Sequence, residues 1–229
     1  MPERFPGYDV MARRDTASWN DATRKAIDAR LATRDSPEFF NPEEWRTLDA
    51  ICERIVPQAS GRMRVPTAAL VDRKLAEDRR DGYRDARLPP LREAWRRGLA
   101  ALEAAAQVRA GAKFHALTAS AQDTLLRDMQ HGRLDGEAWG DMPAELFFKE
   151  RVMHDILAAY YSHPESWNEI GFGGPAGPRG YVRMYFNRRD PWEAAEAKPG
   201  RADKARKTNQ HAGSLEQKVL TRMNADDRG

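Results

Sequence analysis

Apolar positions along this chain recur at three-and-four spacing, and proline, glycine and short polar runs separate the segments in which they do so. Trp45, Leu48, Ile51, Cys52, Ile55 and Val56 form the clearest stripe. It follows Asn41-Pro42-Glu43-Glu44 and stops at Pro57. An Asn N-cap, a proline at the first helical position and acids in the first turn predict a helix starting there, with Cys52 in the core. Upstream, a charged stretch to about Leu31, capped by Thr16 or Ser18, reads as a surface helix that Asp35-Ser36-Pro37 breaks. Downstream, Ala69, Leu70, Asp72, Leu75 and Ala76 outline a short amphipathic helix that ends in the polar run Asp78 to Asp85. Leu91, Trp95, Leu99, Leu102 and Ala106 outline a longer one, opened by Pro89-Pro90 and ended by Gly111. Thr118 or Ser120 caps the next, which carries Leu125, Leu126 and Met129 as far as Gly132.

The most apolar segment runs from Pro143 to about Tyr161 and covers more than one side of a helix, which marks it as the central one. Alternating β-branched runs are scarce. The expected class is therefore all-α: a bundle of about six helices followed by a long Gly/Pro/aromatic C-terminal arm. Four regions are predicted: an N-terminal extension with a surface helix (1–40), the bundle (41–162), the arm (163–193) and a mobile charged tail with a short terminal helix from about Leu215 (194–229). The stretch from Ser162 to Tyr181 reads as a loop with no regular element, yet it keeps Trp167, Phe172 and Tyr181 among its glycines and prolines. A disordered linker sheds such side chains, so the loop is expected to dock against a surface.

Composition changes the picture mainly by exclusion. Of 229 residues, 38 are Lys or Arg and 35 are Asp or Glu, a net charge of +3 with both signs interleaved. That is a weak field for coating nucleic acid, although Lys198 to Lys207 keeps such a role open, with steep salt dependence as its mark. One cysteine excludes an internal disulfide framework, Cys-rich zinc modules and an iron–sulfur cluster ligated by this chain alone. No run approaches the roughly 18 apolar residues that span a bilayer. Arg13-Arg14 is followed by charged residues where an export signal needs an apolar stretch, so no cleavable leader is read.

Candidate chemistry is sparse. Gly171-Phe172-Gly173-Gly174-Pro175-Ala176 matches G-x-G-x-x-A in form, but a helix precedes it and Pro175 and Pro178 remove amide donors. A loop needing positive φ or close backbone approach fits better than a nucleotide cradle. Glu150 and His154 lie four apart on the central helix and, with His163, compose an alternative reading: a metal-dependent helical enzyme. A helical ion pair is the plainer account of the first two. His163, before Pro164, reads as the end of the central helix, where the dipole favours imidazolium; it either caps that helix or reaches a neighbouring protein. Arg188-Arg189-Asp190-Pro191-Trp192 joins two arginines to a tryptophan, residue types enriched at interface hot spots and also found in plain surface turns.

Three sets of residues carry a family resemblance: Phe40 to Pro57; Phe147-Phe148 with Tyr160-Tyr161-Ser162-His163-Pro164; and Gly171 to Pro175 with Arg179-Gly180-Tyr181. In order and spacing they resemble the gluconate 2-dehydrogenase subunit 3 family, over roughly Phe40 to Trp192. The resemblance implies a non-catalytic helical subunit with no cofactor of its own. Its partner would be a large FAD-bearing dehydrogenase subunit of the glucose-methanol-choline type, which it stabilises and helps to mature, with a cytochrome c subunit as a further component. Family members bearing a twin-arginine leader also carry the folded partner across the inner membrane. Here the absent leader points to the cytoplasm, with the periplasm as the alternative if the complex is exported on its partner's signal. The expected contact runs from His163 to Tyr185 and buries about 2,000 Å². Its members are His163, Trp167, Phe172, Gly173, Gly174 and Pro175, then Arg179 and Tyr181, with Arg188, Arg189 and Trp192 beyond.

Overall fold

The computed structural model describes residues 3–60, 63–176, 190, 193–214 and 218. It is all-α. Nine α-helices occur among the described residues: α1 (Asp21–Leu31), α2 (Pro42–Ile55), α3 (Thr67–Ala76), α4 (Leu91–Ala110), α5 (Ala119–Gln130), α6 (Ala144–Phe147), α7 (His154–Tyr161), α8 (Pro164–Ile170) and α9 (Ala202–Gln210). None of the described helices is long and apolar enough to cross a membrane. The chain divides into two compact units, Thr33–Tyr160 and the paired terminal segments Met1–Ala32 and Tyr161–Gly229. Among the described residues, 3–32, 161–176 and 193–214 thus fall in one compact unit.

In the larger unit α2 begins as the local signals require. The Asn41 side chain accepts from the N–H of Glu44, while the Glu44 side chain accepts from the N–H of Asn41. The stripe on α2 is buried, and Cys52 is 4% exposed. Its neighbours in the core include Leu75 of α3, Trp95, Leu99 and Leu102 of α4, Met129 of α5 and Ile156 of α7. Buried Asp72 on α3 accepts from the backbone N–H groups of Glu38, Phe39 and Phe40 at 2.6–3.2 Å, which fixes the chain as it enters α2. Arg92 donates to the carbonyls of Leu75 and Ala76, 2.6 Å each, and so closes the C-terminal end of α3. Gly111, at φ +65°, ends α4 in the left-handed conformation.

The segment expected as one central helix is interrupted. Between α6 and α7, residues Phe148–Met153 form a π-helical stretch. The wider turn shifts every later side chain relative to a 3.6-residue wheel, so the spacing of Glu150 and His154 no longer places them as a regular helix would. Arg151 and Val152 within this stretch and Asp155 just after it are buried.

The smaller unit has its own core of Phe5, Tyr8, Val10, Trp19, Ile27, Trp167, Ala194 and Ala212. Three sequence expectations change here. The cap of α1 is Asn20, which accepts from the N–H of Thr23, rather than Thr16 or Ser18. Within the stretch read as irregular, Pro164–Ile170 is helical. And the first part of the charged tail is not loose: α9 is docked by buried Asn209, whose amide donates to the carbonyls of Pro6 at 2.9 Å and Ala195 at 3.0 Å and accepts from the N–H of Ala195 at 2.7 Å. The predicted terminal helix from Leu215 falls almost wholly outside the described residues.

Candidate functional site

Residues 161–176 contain all six of the sequence-predicted contact residues that the structure describes. Pro164 lacks an N–H, so α7 cannot run through it, yet its fixed φ suits the first position of a new helix. His163 is accordingly the N-cap of α8: its Nδ1 accepts from the N–H of Glu165 at 3.3 Å. The expectation of an imidazolium closing the preceding helix is corrected. His163 is 2% exposed, and burial, reinforced by the Arg30 cation, pushes its pKa down to about 4. A neutral ring is what the cap needs, because protonation removes the accepting lone pair.

This histidine makes the smaller unit acid-sensitive. Its folded pKa lies below the unfolded value of about 6.5, so the unfolded state binds more protons between the two. Its contribution is complete above about pH 6.5 and is lost as pH falls toward 4. Discounted for solvent screening, the loss is on the order of 2 kcal/mol. Replacing His163 by Asn, which caps without titrating, is expected to flatten this pH dependence in amide exchange of α8. An unchanged acid slope in the variant would refute the assignment.

Beyond the cap, Trp167 points inward at 4% exposure. Its indole N–H donates to the carbonyl of Tyr161 at 2.7 Å, and its ring meets Phe172 edge-on at 5.5 Å. Gly171 and Gly174 have φ of +69° and +74°, and a Cβ would lie 2.5 Å from the Phe5 ring and 2.9 Å from Val10 respectively. The glycines therefore do allow close approach, but to the chain's own N-terminal segment. Arg13, 2% exposed, donates to the carbonyl of Gly173 and to Ser18. Turned outward are Phe172 at 39%, Ile170 at 43% and Tyr161 at 46%, with Leu31 of the same unit at 38%. Gly173 and Pro175 are half-buried. Arg179, Tyr181, Arg188, Arg189 and Trp192 lie outside the described residues.

The larger unit holds a cluster that sequence reasoning missed. The Asp155 side chain is fully buried and accepts from the Trp95 indole N–H at 2.7 Å and from the Lys74 ammonium at 2.9 Å. Lys74 also donates to both oxygens of Asp81, at 2.6 and 2.8 Å, and Arg151 lies 3.4 Å from Asp81 and 4.0 Å from Asp155. Burial opposes ionisation of Asp81, but Lys74, then His154 and Arg151, outweigh it and hold its carboxyl below the usual range. The missed signal was an aspartate between the core positions Val152 and Ile156, since a charge there demands a partner.

Ligand atoms of Asp81, His154 and Asp155 lie within 4.8 Å of one another, a spacing suited to a metal ion. The seat between the two carboxylates is taken by the Lys74 ammonium, and Arg151 adds a second cation. A divalent ion would have to displace the first and sit beside the other. Of the residues in the metal-enzyme reading, His154 joins this cluster, Glu150 pairs with Lys149 at 3.2 Å, and His163 caps α8 in the smaller unit. The arrangement is that of a charge-neutralised structural network.

Residues 42–174, more than half of the chain, match the family model described as gluconate 2-dehydrogenase subunit 3. The chain belongs to the gluconate 2-dehydrogenase subunit 3 family. No curated protein and no solved structure shows a significant match to it. The family match begins at Pro42, the first residue of α2, and ends at Gly174, so it takes in both the charged network and the α8 surface. Family membership identifies the chain as a subunit type named for a multi-subunit dehydrogenase.

Proposed function

We propose that this chain is the non-catalytic small subunit of such a complex, stabilising and helping to mature a large FAD-dependent sugar or alcohol dehydrogenase subunit of the glucose-methanol-choline type. A cytochrome c subunit completes the assembly where electrons leave by that route. The family match carries the reading. Two features support it. Among the described residues, the one cluster with metal-ligand spacing is occupied by its own lysine. And Tyr161, Ile170 and Phe172 project from the smaller unit beside buried Trp167, an apolar set suited to a permanent interface. This surface, rather than buried Trp167 itself, offers the contact.

The test is co-expression with candidate flavoproteins. The true partner copurifies yellow and active only when this chain is present, whereas turnover by the isolated chain would overturn the proposal. Ile170→Asp combined with Phe172→Asp is expected to raise the Kd of the complex at least 30-fold, the scale of an interface hot spot at about 2 kcal/mol. Ile170 and Phe172 are partly exposed and Phe172 also meets Trp167 edge-on, so the variant should melt a few degrees below the parent yet stay folded under assay conditions, which its thermal unfolding curve checks. An unchanged Kd would place the contact elsewhere on the chain.

A further inference from the structure

The larger unit contains a cavity of about 200 Å³ lined by Arg80, Asp81, Tyr83, Arg84, Arg151 and the start of α4 at Pro90 and Leu91. We infer that this cavity binds a small oxyanion, a phosphate group or a compact carboxylate, held between Arg84, Arg151 and the N-terminus of α4.

The first support is Arg151. It is 5% exposed, yet among the described residues only its Nη1 has a hydrogen-bonding partner, and that at a long 3.4 Å from Asp81. Its Nε is buried with no partner among the described residues. A buried guanidinium so poorly paired is costly, because each unmade charged hydrogen bond forfeits its desolvation energy. Because Nε is sealed from solvent, an anion in the cavity would engage the guanidinium through Nη2, which has no hydrogen-bonding partner among the described residues.

The second support is α4 itself. It is 20 residues long, and its N-cap is Pro90, which makes no side-chain hydrogen bond to the first turn. The N–H groups of that first turn lack the side-chain acceptor that caps α1, α2 and α5. Free amides and the positive end of the dipole favour an anion where the cavity meets Pro90 and Leu91.

The third is charge. The charged residues lining the cavity are Arg80, Arg84 and Arg151 against one carboxylate, Asp81. Arg80 is engaged by Asp78 at 2.6 Å, and Asp81, the carboxylate in the wall, has both oxygens on Lys74. Arg84 donates to the carbonyl of Leu88, and no carboxylate among the described residues pairs with it. Its remaining donors are free for a ligand. The volume fits roughly six waters at about 30 Å³ each, or one anion the size of phosphate or a short dicarboxylate. Tyr83, 82% exposed at the rim, adds a phenol that can donate to it.

Isothermal titration of the full chain with inorganic phosphate and, separately, with succinate at fixed ionic strength tests the inference. Saturable one-to-one binding of either supports it, and which of the two binds identifies the chemistry. Arg84→Gln is exposed and should fold, and it is expected to weaken binding at least tenfold. Arg87→Gln removes a neighbouring arginine that does not line the cavity and should leave binding unchanged. Absence of saturable binding by both anions, or equal effects of the two substitutions, would overturn it.

Discussion

Gly98→Ala is expected to destabilise the larger unit by about 3 kcal/mol or more. Gly98 sits in mid-α4, where a Cβ would fall 2.1, 2.4 and 2.5 Å from three atoms of the Phe147 ring. The ring has nowhere to retreat. Trp95 meets it edge-on at 5.5 Å, Trp139 packs at 6.0 Å, and Phe147 itself is fully buried. Alanine normally favours a helix over glycine by about 1 kcal/mol, so the sign of this substitution separates packing from propensity. Thermal unfolding should show a fall on the order of 6–12 °C. Adding Phe147→Leu should recover part of the loss, because the clash is with that ring. A stabilised Gly98→Ala chain would show that α4 and Phe147 do not pack this closely.

Asp155→Ala should cost a similar or larger amount, about 3–5 kcal/mol. The substitution strands the Trp95 indole N–H and leaves Lys74 and Arg151, both largely buried, sharing Asp81 alone. Asp155→Asn keeps an acceptor for Trp95 while deleting the charge, so it should lose less, and the difference reports the ionic part of the network. Denaturant titration of the two variants measures both, and equal losses would refute the ionic contribution. The network also sets an acid limit for this unit. The folded pKa of Asp81 is depressed, so its contribution is present above the unfolded value of about 3.9 and is lost as pH falls below it. The smaller unit, through His163, begins to weaken from about pH 6.5. The two units should therefore respond to acid in separate windows, resolved by amide exchange at pH 7, 5 and 3. Loss in a single common window would argue against both assignments.

Legibility in the sequence followed the range of the forces involved. The start of α2 was readable because Asn41, Pro42 and Glu44 act on backbone groups within four residues of themselves. The stop of α4 was readable because Gly111 needs nothing but its own φ. Even a correct local reading failed where the element was too short to show a period. At seven residues, α8 offers two turns of pattern, and its order comes from Trp167 packing with Phe5 and Trp19, far away in sequence. The described part of the aromatic stretch lies against the chain's own N-terminal segment, with Gly171 beside Phe5 and Gly174 beside Val10. Likewise α9 is polar along most of its length, and the Asn209 bond to Pro6 spans 203 positions.

For the candidate sites the division is sharper. Of the pair Glu150 and His154, only His154 joins the charged cluster, which is centred on Asp155, an inward position between Val152 and Ile156 whose partners Lys74 and Trp95 are distant in sequence. Spacing and capping alone determined the all-α class, the main helices of the larger unit and the family resemblance, because each depends on interactions a few residues long. Tertiary structure alone decided which charges are buried together, which aromatics face solvent and that the two ends of the chain form one body. Those outcomes rest on contacts between residues 60 to more than 200 positions apart, such as Trp95 with Asp155 and Pro6 with Asn209. A side chain carries no local mark of the distant group that will neutralise or cover it.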